Sequence, residues 1–211
     1  MPAYRNREEA GRVLASLLPP LEPETLVLAI PNGGVVVGAS LTRELDLPLL
    51  PIVIRKIQLP GNTESGFGSV ASDGSVHYNE DLLSRLGLSR EQIAAQTGKA
   101  LRSVEDRLKL YGAAREFPRL AGKTVVLTDD GLASGVTMES AVRVIRKHEP
   151  DTVIVAVPTA STGAYQRIAP LVDELVCPDV RGGWVFAVAD AYEDWSDVTD
   201  EEVTSILSAP D

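Results

Sequence analysis

Cysteine, histidine and aromatic residues are scarce in this 211-residue chain, and each shortage closes off some chemistry. A single cysteine, Cys177, allows no intrachain disulfide and argues against a cysteine-based zinc site. Its two available roles are a small buried hydrophobe at a strand end and a reactive thiol, and the first is the ordinary one. The two histidines, His77 and His148, stand far apart in the sequence. Nothing around them points to a two-histidine metal site or a Ser-His-Asp triad. A basic surplus is missing too: 20 Lys and Arg face 30 Asp and Glu, for a net charge of −10. No broad basic surface is implied, which argues against sequence-independent binding to nucleic acid or to an anionic membrane. No apolar run approaches the roughly 20 residues needed to span a bilayer. The start, Met1-Pro2-Ala3-Tyr4-Arg5, lacks the apolar core of a secretory signal. The expectation is a cytoplasmic protein of one domain spanning residues 1–211, long enough to bury a substantial core.

What is present is an alternation of short apolar runs and helical patterns. Asn6-Arg7-Glu8-Glu9 reads as a capping box opening a helix to about residue 18, where Pro19-Pro20 stops it. Residues 25–30 are apolar and β-branched and read as a buried strand. The turn Pro31-Asn32-Gly33-Gly34 follows, then a helical pattern over 35–45 and a second buried strand over 50–55. Residues 57–74 are rich in glycine and proline and poor in long apolar side chains, which predicts a long loop or hairpin. Asn79 caps a short helix to residue 86. Ser89-Arg90-Glu91-Gln92 opens a long one to about 111. Strands at 124–128, 153–157 and 174–177 alternate with helices at 137–148 and 162–168, and Thr199 caps a last helix to about 207. This is the pattern of an α/β domain, with a mostly parallel twisted sheet covered by helices on both faces. In such sheets ligands sit at the carboxyl ends of the strands. Three segments fall there: 31–34, 55–56 and 129–137.

The stretch Val125-Val126-Leu127-Thr128-Asp129-Asp130-Gly131-Leu132-Ala133-Ser134-Gly135-Val136-Thr137 carries the most chemistry. Gly131, Ala133, Ser134 and Gly135 let a phosphate approach the backbone. A helix beginning near Thr137 offers free N–H groups and a positive dipole end. Ser134 and Thr137 add hydroxyl donors. Asp129 and Asp130 precede this cradle, where carboxylates accept hydrogen bonds from vicinal hydroxyls and hold Mg²⁺ directly or through water. The order suits a ribose 5-phosphate, with hydroxyls on the acids and the phosphate on the turn. A strand-to-helix turn with an aspartate cap would also use Asp-Asp-Gly, and the Ala-Ser-Gly-x-Thr continuation after a hydrophobic strand favours the ligand reading over it. No Walker A loop and no Gly-x-Gly-x-x-Gly fingerprint is present. Arg55 and Lys56 stand out in an acidic protein as a cation pair for an anionic ligand, or as a strand-end pair making surface salt bridges.

This combination resembles the phosphoribosyl pyrophosphate signature of the type I phosphoribosyltransferases. Ile30-Pro31-Asn32-Gly33-Gly34-Val35-Val36-Val37-Gly38 is similar to the family's pyrophosphate loop. Arg55-Lys56-Ile57, Pro60-Gly61-Asn62-Thr63-Glu64 and Gly66-Phe67-Gly68-Ser69-Val70 resemble the flexible-loop region of a stand-alone subgroup from bacteria and archaea. Tyr192-Glu193-Asp194-Trp195 and Thr199-Asp200-Glu201-Glu202-Val203 resemble that subgroup's ending, so the likeness covers nearly the whole chain. The subgroup usually has Arg where Asn32 stands, Gly at Gln58, Pro at Thr63 and Thr at Ser134. Ser134 keeps the hydroxyl, whereas Asn32 removes a cation from the loop expected to meet pyrophosphate.

The resemblance implies the type I fold with a small hood and a flexible loop, Mg²⁺ as cofactor, and transfer of ribose 5-phosphate to a nitrogenous, base-like acceptor. Asp129 and Asp130 would hold the ribose hydroxyls and the Mg²⁺, and support positive charge on the sugar. Gly131, Ala133, Ser134, Gly135, Val136 and Thr137 would hold the 5-phosphate. Pro31, Asn32, Gly33 and Gly34 would hold pyrophosphate, with Arg55 and Lys56 assisting its departure. Without the resemblance, Gly33 and Gly34 equally well turn a strand into a helix. Family members often carry a non-proline cis peptide in this loop. Residues 57–74 fit a lid, with Glu64 a ligand contact or a solvated carboxylate. The hood falls to 178–195 and the N-terminal helix. Tyr78, Tyr111, Trp184, Phe186, Tyr192 and Trp195 are most of the aromatics available to a base, though each also suits packing of the C-terminal segment. A homodimer is expected by analogy alone. Two other activities remain open: a non-catalytic sensor of phosphoribosyl pyrophosphate or nucleotides, and a phosphoribosyl hydrolase or phosphorylase.

Overall fold

The computed structural model describes residues 1–114, 117–183 and 186–209, with the side chains of residues 63 and 64 excepted. Strand β1 (Leu26–Ala29) lies near the middle of a five-stranded sheet ordered β2-β1-β6-β7-β9, with β2 Leu49–Pro51, β6 Thr124–Thr128, β7 Thr152–Ala156 and β9 Glu174–Val176. Every neighbouring pair in it is parallel. Both faces are apolar, as strands buried on two sides require. Val27, Val126 and Ile154 point to one face and meet Leu14 of α1 (Arg7–Leu17) and Val37 and Leu41 of α2 (Gly33–Leu45). Leu28, Leu127 and Val155 point to the other and meet Met138, Ala141 and Ile145 of α5 (Val136–Arg146).

The predicted strand at 50–55 is in fact two strands in two sheets. Strand β2 ends at Pro51, and β3 (Ile54–Leu59) begins an antiparallel sheet with β4 (Asn62–Ala71) and β5 (Val76–Tyr78). The chain changes sheets at Ile52-Val53: the Ile52 N–H still donates to Ala29, while the Val53 N–H donates to the Ser72 hydroxyl at 2.7 Å. An unbroken apolar run conceals such a switch, because both strands are buried. Of the two forms expected for residues 57–74, a long loop or a hairpin, the structure has the hairpin, with β3 and β4 antiparallel. Some of the glycines that suggested a loop serve close packing instead: a Cβ on Gly68 would lie 2.4 Å from the His77 carbonyl oxygen. Helices α4 (Arg90–Leu110) and α7 (Asp200–Leu207) cover this second sheet. Ala100, Val104, Leu108 and Val203 pack with Ile57, Phe67 and Val70. Helix α3 (Glu80–Leu86) and α6 (Thr162–Ile168) are the remaining α-helices among the described residues, and β8 (Thr159–Ser161) pairs in parallel with β10 (Asp179–Arg181).

The strand order fixes where a site can form. From β1 the chain crosses through α2 to β2 on one side, and from β6 through α5 to β7 on the other. The carboxyl ends of β1 and β6 therefore flank the topological switch point, where open α/β sheets leave a crevice.

Candidate active site

The segments leaving β1 and β6 touch across that crevice. The Ile30 N–H donates to the Thr128 carbonyl at 2.9 Å, and the next peptide, Pro31–Asn32, is cis. Gly33 and Gly34 are the first turn of α2 rather than a free turn. A Cβ on Gly33 would sit 1.9 Å from Asp130 Oδ2, and one on Gly34 would sit 2.8 Å from Asp129 Cα. The two segments approach this closely only because both residues are glycine.

The two aspartates have different surroundings. Asp129 Oδ1 accepts the Asp130 N–H at 2.8 Å, and the carboxyl lines a cleft of ≈ 430 Å³. Burial, then the neighbouring charge of Asp130, raises its pKa well above the ordinary carboxylate value. Asp130 instead pairs through Oδ2 with Arg7 Nε at 2.9 Å, the side chains being 17% and 9% exposed. Arg7 also donates to the Ser196 carbonyl at 2.9 Å and lies 3.8 Å from the centre of the Trp195 ring system. The Tyr192 hydroxyl donates to the Asp130 carbonyl at 2.6 Å. The N-terminal helix and the 192–196 segment thus reach Asp130, not Asp129.

The 131–137 turn is fixed from behind and open in front. A Cβ on Gly131 would lie 2.6 Å from Val188 and 2.9 Å from Thr159. The Leu132 N–H donates to the Thr159 carbonyl, and the Ser161 hydroxyl donates to the Ala133 carbonyl at 2.7 Å. Gly135, at φ 73°, caps α5 with no side chain of its own, and the Val136 N–H makes a long 3.4 Å bond to the Ser134 hydroxyl; Ser134, Val136 and Thr137 are exposed. An anion fits a helix N-terminus whose one side-chain acceptor is weak and exposed.

Arg55 and Lys56 line the same cleft as Asp129, Pro31 and Thr137, but they do so from β3 rather than from a loop after the parallel sheet. Burial first, then the charge of Arg107, lowers the pKa of Arg55. Asn32 is directed elsewhere. Its Nδ2 donates to the Val198 carbonyl at 2.8 Å and to Asp200 Oδ1 at 3.0 Å, and its Oδ1 accepts from Arg107 at 3.1 Å. The Tyr111 hydroxyl lies 3.2 Å from the same oxygen, and Arg107 also pairs with Asp200. The position that removes a cation from the loop is thus a structural anchor.

Among the described residues no group of three or more His, Cys, Asp or Glu could hold a metal. Asp129 nonetheless fits a share in Mg²⁺ binding: a hard oxygen donor that lines the cleft, with the rest of the shell left to ligand oxygens and water.

The phosphoribosyl transferase domain model matches residues 21–193. The chain belongs to the phosphoribosyl transferase family. A Mycobacterium tuberculosis protein named "Putative phosphoribosyl transferase" is 33% identical over 208 residues, 98% of this chain and 47% of its own length, so the chain spans about half of that curated relative. The crystal structure of TT1426 from Thermus thermophilus superposes with a TM-score of 0.82 at 34% identity, covering 98% of each chain. The fold is thus the α/β type I phosphoribosyltransferase fold that the resemblance implied.

The phosphoribosyl transferase match leaves both ends of the chain outside it, and those ends supply the contacts that the sequence did not reveal. Arg7 clamps Asp130 from α1, and Val198 and Asp200 hold Asn32 at the start of α7. Arg7 looked like an ordinary residue inside a helix cap. Asn6 does cap α1, accepting the Glu9 N–H at 3.0 Å. Helix α4 contributes Gln96, Lys99 and Ser103 to the cleft, which its mixed charges concealed. Of the aromatics weighed for a base, Tyr78 stacks on Phe67 and Tyr111 sits in the Asn32 network. Trp184 and the side chain of Glu64 lie outside the described residues. Burial pushes the Cys177 thiol up to about 12, and its side chain packs, partly buried, against the core of the parallel sheet. No helix among the described residues is long and apolar enough to cross a membrane.

Proposed function

We propose that this chain transfers ribose 5-phosphate from phosphoribosyl pyrophosphate to a nitrogenous, base-like acceptor, releasing pyrophosphate. One observation carries this reading: the Asp129 carboxylate, the start of α5 through Thr137, and the cations Arg55, Lys56 and Lys99 line one cleft at the switch point. The 131–137 turn anchors the 5-phosphate by backbone N–H groups and the Ser134 and Thr137 hydroxyls. Asp129 accepts hydrogen bonds from the ribose hydroxyls. In its ionised form it also stabilises positive charge as the bond from C1 to pyrophosphate lengthens. Asp130, neutralised by Arg7, holds the acidic segment in place. Bound Mg²⁺ would supply charge neutralisation for the diphosphate, held by Asp129 together with ligand oxygens. Arg55 and Lys56 receive the departing pyrophosphate. The acceptor nitrogen forms the new bond to C1, and its proton leaves to solvent or to the released diphosphate. No general base is needed beyond positioning and leaving-group stabilisation.

The reading is tested by measuring pyrophosphate released from phosphoribosyl pyrophosphate and Mg²⁺ across a panel of purines, pyrimidines and other nitrogenous acceptors. Acceptor-dependent release supports it. A second reading, a phosphoribosyl pyrophosphate or nucleotide sensor, draws support from Asn32, whose side chain anchors α7 instead of serving the cleft. Saturable binding without turnover on any acceptor would favour that sensor. Ribose 5-phosphate formed without an acceptor would mark a hydrolase.

A further inference from the structure

Helix α4 presents a polar stripe beside its buried one. Thr97, Ala100, Val104 and Leu108 are buried against the antiparallel sheet. Gln96, Lys99, Ser103 and Arg107 each stand one residue earlier, at steps of three and four, and so form a single flanking row. Gln96, Lys99 and Ser103 of that row line the cleft that holds Asp129, Pro31, Arg55 and Lys56. The fourth, Arg107, is taken up by Asp200 and Asn32. Lys99 has no ion-pair partner among the described residues, and it stands in a protein of net charge −10.

We infer that α4, through Lys99 with Gln96 and Ser103, is the third wall of the diphosphate subsite and supplies the cation that the 31–34 loop lacks. Three observations converge on this. The Asn32 side chain is consumed by the α7 network, so the loop offers the ligand only backbone and Pro31. The cations that do face the cleft come from β3 and from α4. The α4 row also places two hydrogen-bonding side chains, an amide and a hydroxyl, three and four residues to either side of the ammonium, which suits the several oxygens of a diphosphate. Lys99 serves as a point charge on a flexible stem, a role compatible with a departing ligand.

The inference rests on the transferase or sensor reading of this cleft, so its test separates the two. Inorganic pyrophosphate, phosphoribosyl pyrophosphate and ribose 5-phosphate are titrated, each with Mg²⁺, into the wild-type chain and into Lys99→Gln and Lys99→Arg. Lys99→Gln should weaken pyrophosphate and phosphoribosyl pyrophosphate about ten-fold or more, the loss expected for one charged hydrogen bond. Ribose 5-phosphate should bind unchanged, and Lys99→Arg should recover most of the affinity. Thermal unfolding should not move, since Lys99 is exposed. Wild-type affinity for pyrophosphate in Lys99→Gln, or an equal loss for ribose 5-phosphate, would overturn the role given to α4 and leave the cleft assignment standing. A folded wild-type chain that binds neither pyrophosphate nor phosphoribosyl pyrophosphate would remove both.

Discussion

Replacing Arg7 with methionine tests how the acidic pair is held. The substitution keeps an unbranched stem but leaves the Asp130 carboxylate with no cation, and it removes the guanidinium from over Trp195. Both partners of the pair are mostly buried, at 9% and 17% exposure, so water only partly replaces the lost partner. Removing one partner of a buried pair typically costs about 3–5 kcal/mol. The residual exposure of Asp130 places this one near the lower end, at about 3 kcal/mol, or about 6–12 °C in Tm for a chain of this size. Urea unfolding and calorimetric melting of Arg7→Met give the number. Adding Asp130→Asn to the same variant removes the stranded charge and should recover most of the loss, which simple loss of packing at Arg7 would not allow. A single variant within about 1 kcal/mol of wild type, or a double variant no better than the single, would refute the claim that Arg7 neutralises Asp130.

The other expectations concern the two segments at the switch point. Gly33→Ala drives a Cβ into Asp130 and should destabilise the chain by about 1–3 kcal/mol, with weaker diphosphate binding; an unchanged melt would mean the segments separate freely. Asn32→Arg restores a cation that the related subgroup carries, yet it breaks the bonds to Val198 and Asp200 and crowds Arg107. Urea unfolding should show a loss of about 1–3 kcal/mol, whereas a stabilised variant would contradict the anchoring role. Burial raises the folded-state pKa of Asp129 above the ordinary carboxylate value, so the folded chain holds a proton that the unfolded chain releases in that window. Its contribution therefore falls as pH rises from the unfolded value through the folded one and stays low above it. Asp129→Asn should flatten that part of the stability profile and stabilise the ligand-free chain at neutral pH by about 0.5–2 kcal/mol, read from urea midpoints across pH.

Local chemistry was legible and long-range partnership was not. Strand β6 and the turn after it could be read because a β-branched run, two acids and a small-residue turn follow one another without interruption. The caps at Ser89 and Thr199 could be read for the same reason: a capping box is complete within four residues. The split between β2 and β3 was hidden inside one apolar run, because burial in either sheet asks for the same residues. The hairpin at 57–74 was one of two forms the sequence allowed, because glycines mark close strand packing as readily as an open loop. Arg7 and Asp130 are 123 residues apart, and Asn32 and Asp200 are 168 apart, so no window of sequence contains either pair. Their residue types were visible, but their pairing is a product of the fold. Lys99 was concealed because a cation on a long charged helix ordinarily faces water.

Phosphoribosyl pyrophosphate is proposed to bind at Asp129, beside the 131–137 turn. Calorimetric titration of that ligand with Mg²⁺ into the wild-type chain and into Asp129→Asn, with melting curves to show that both are folded, tests it most directly. Saturable binding at one site is expected in the wild type and a loss of about 100-fold or more in the variant, since the one carboxylate would serve both hydroxyl and metal contacts once ionised beside the ligand. Equal affinity in the two proteins would contradict it.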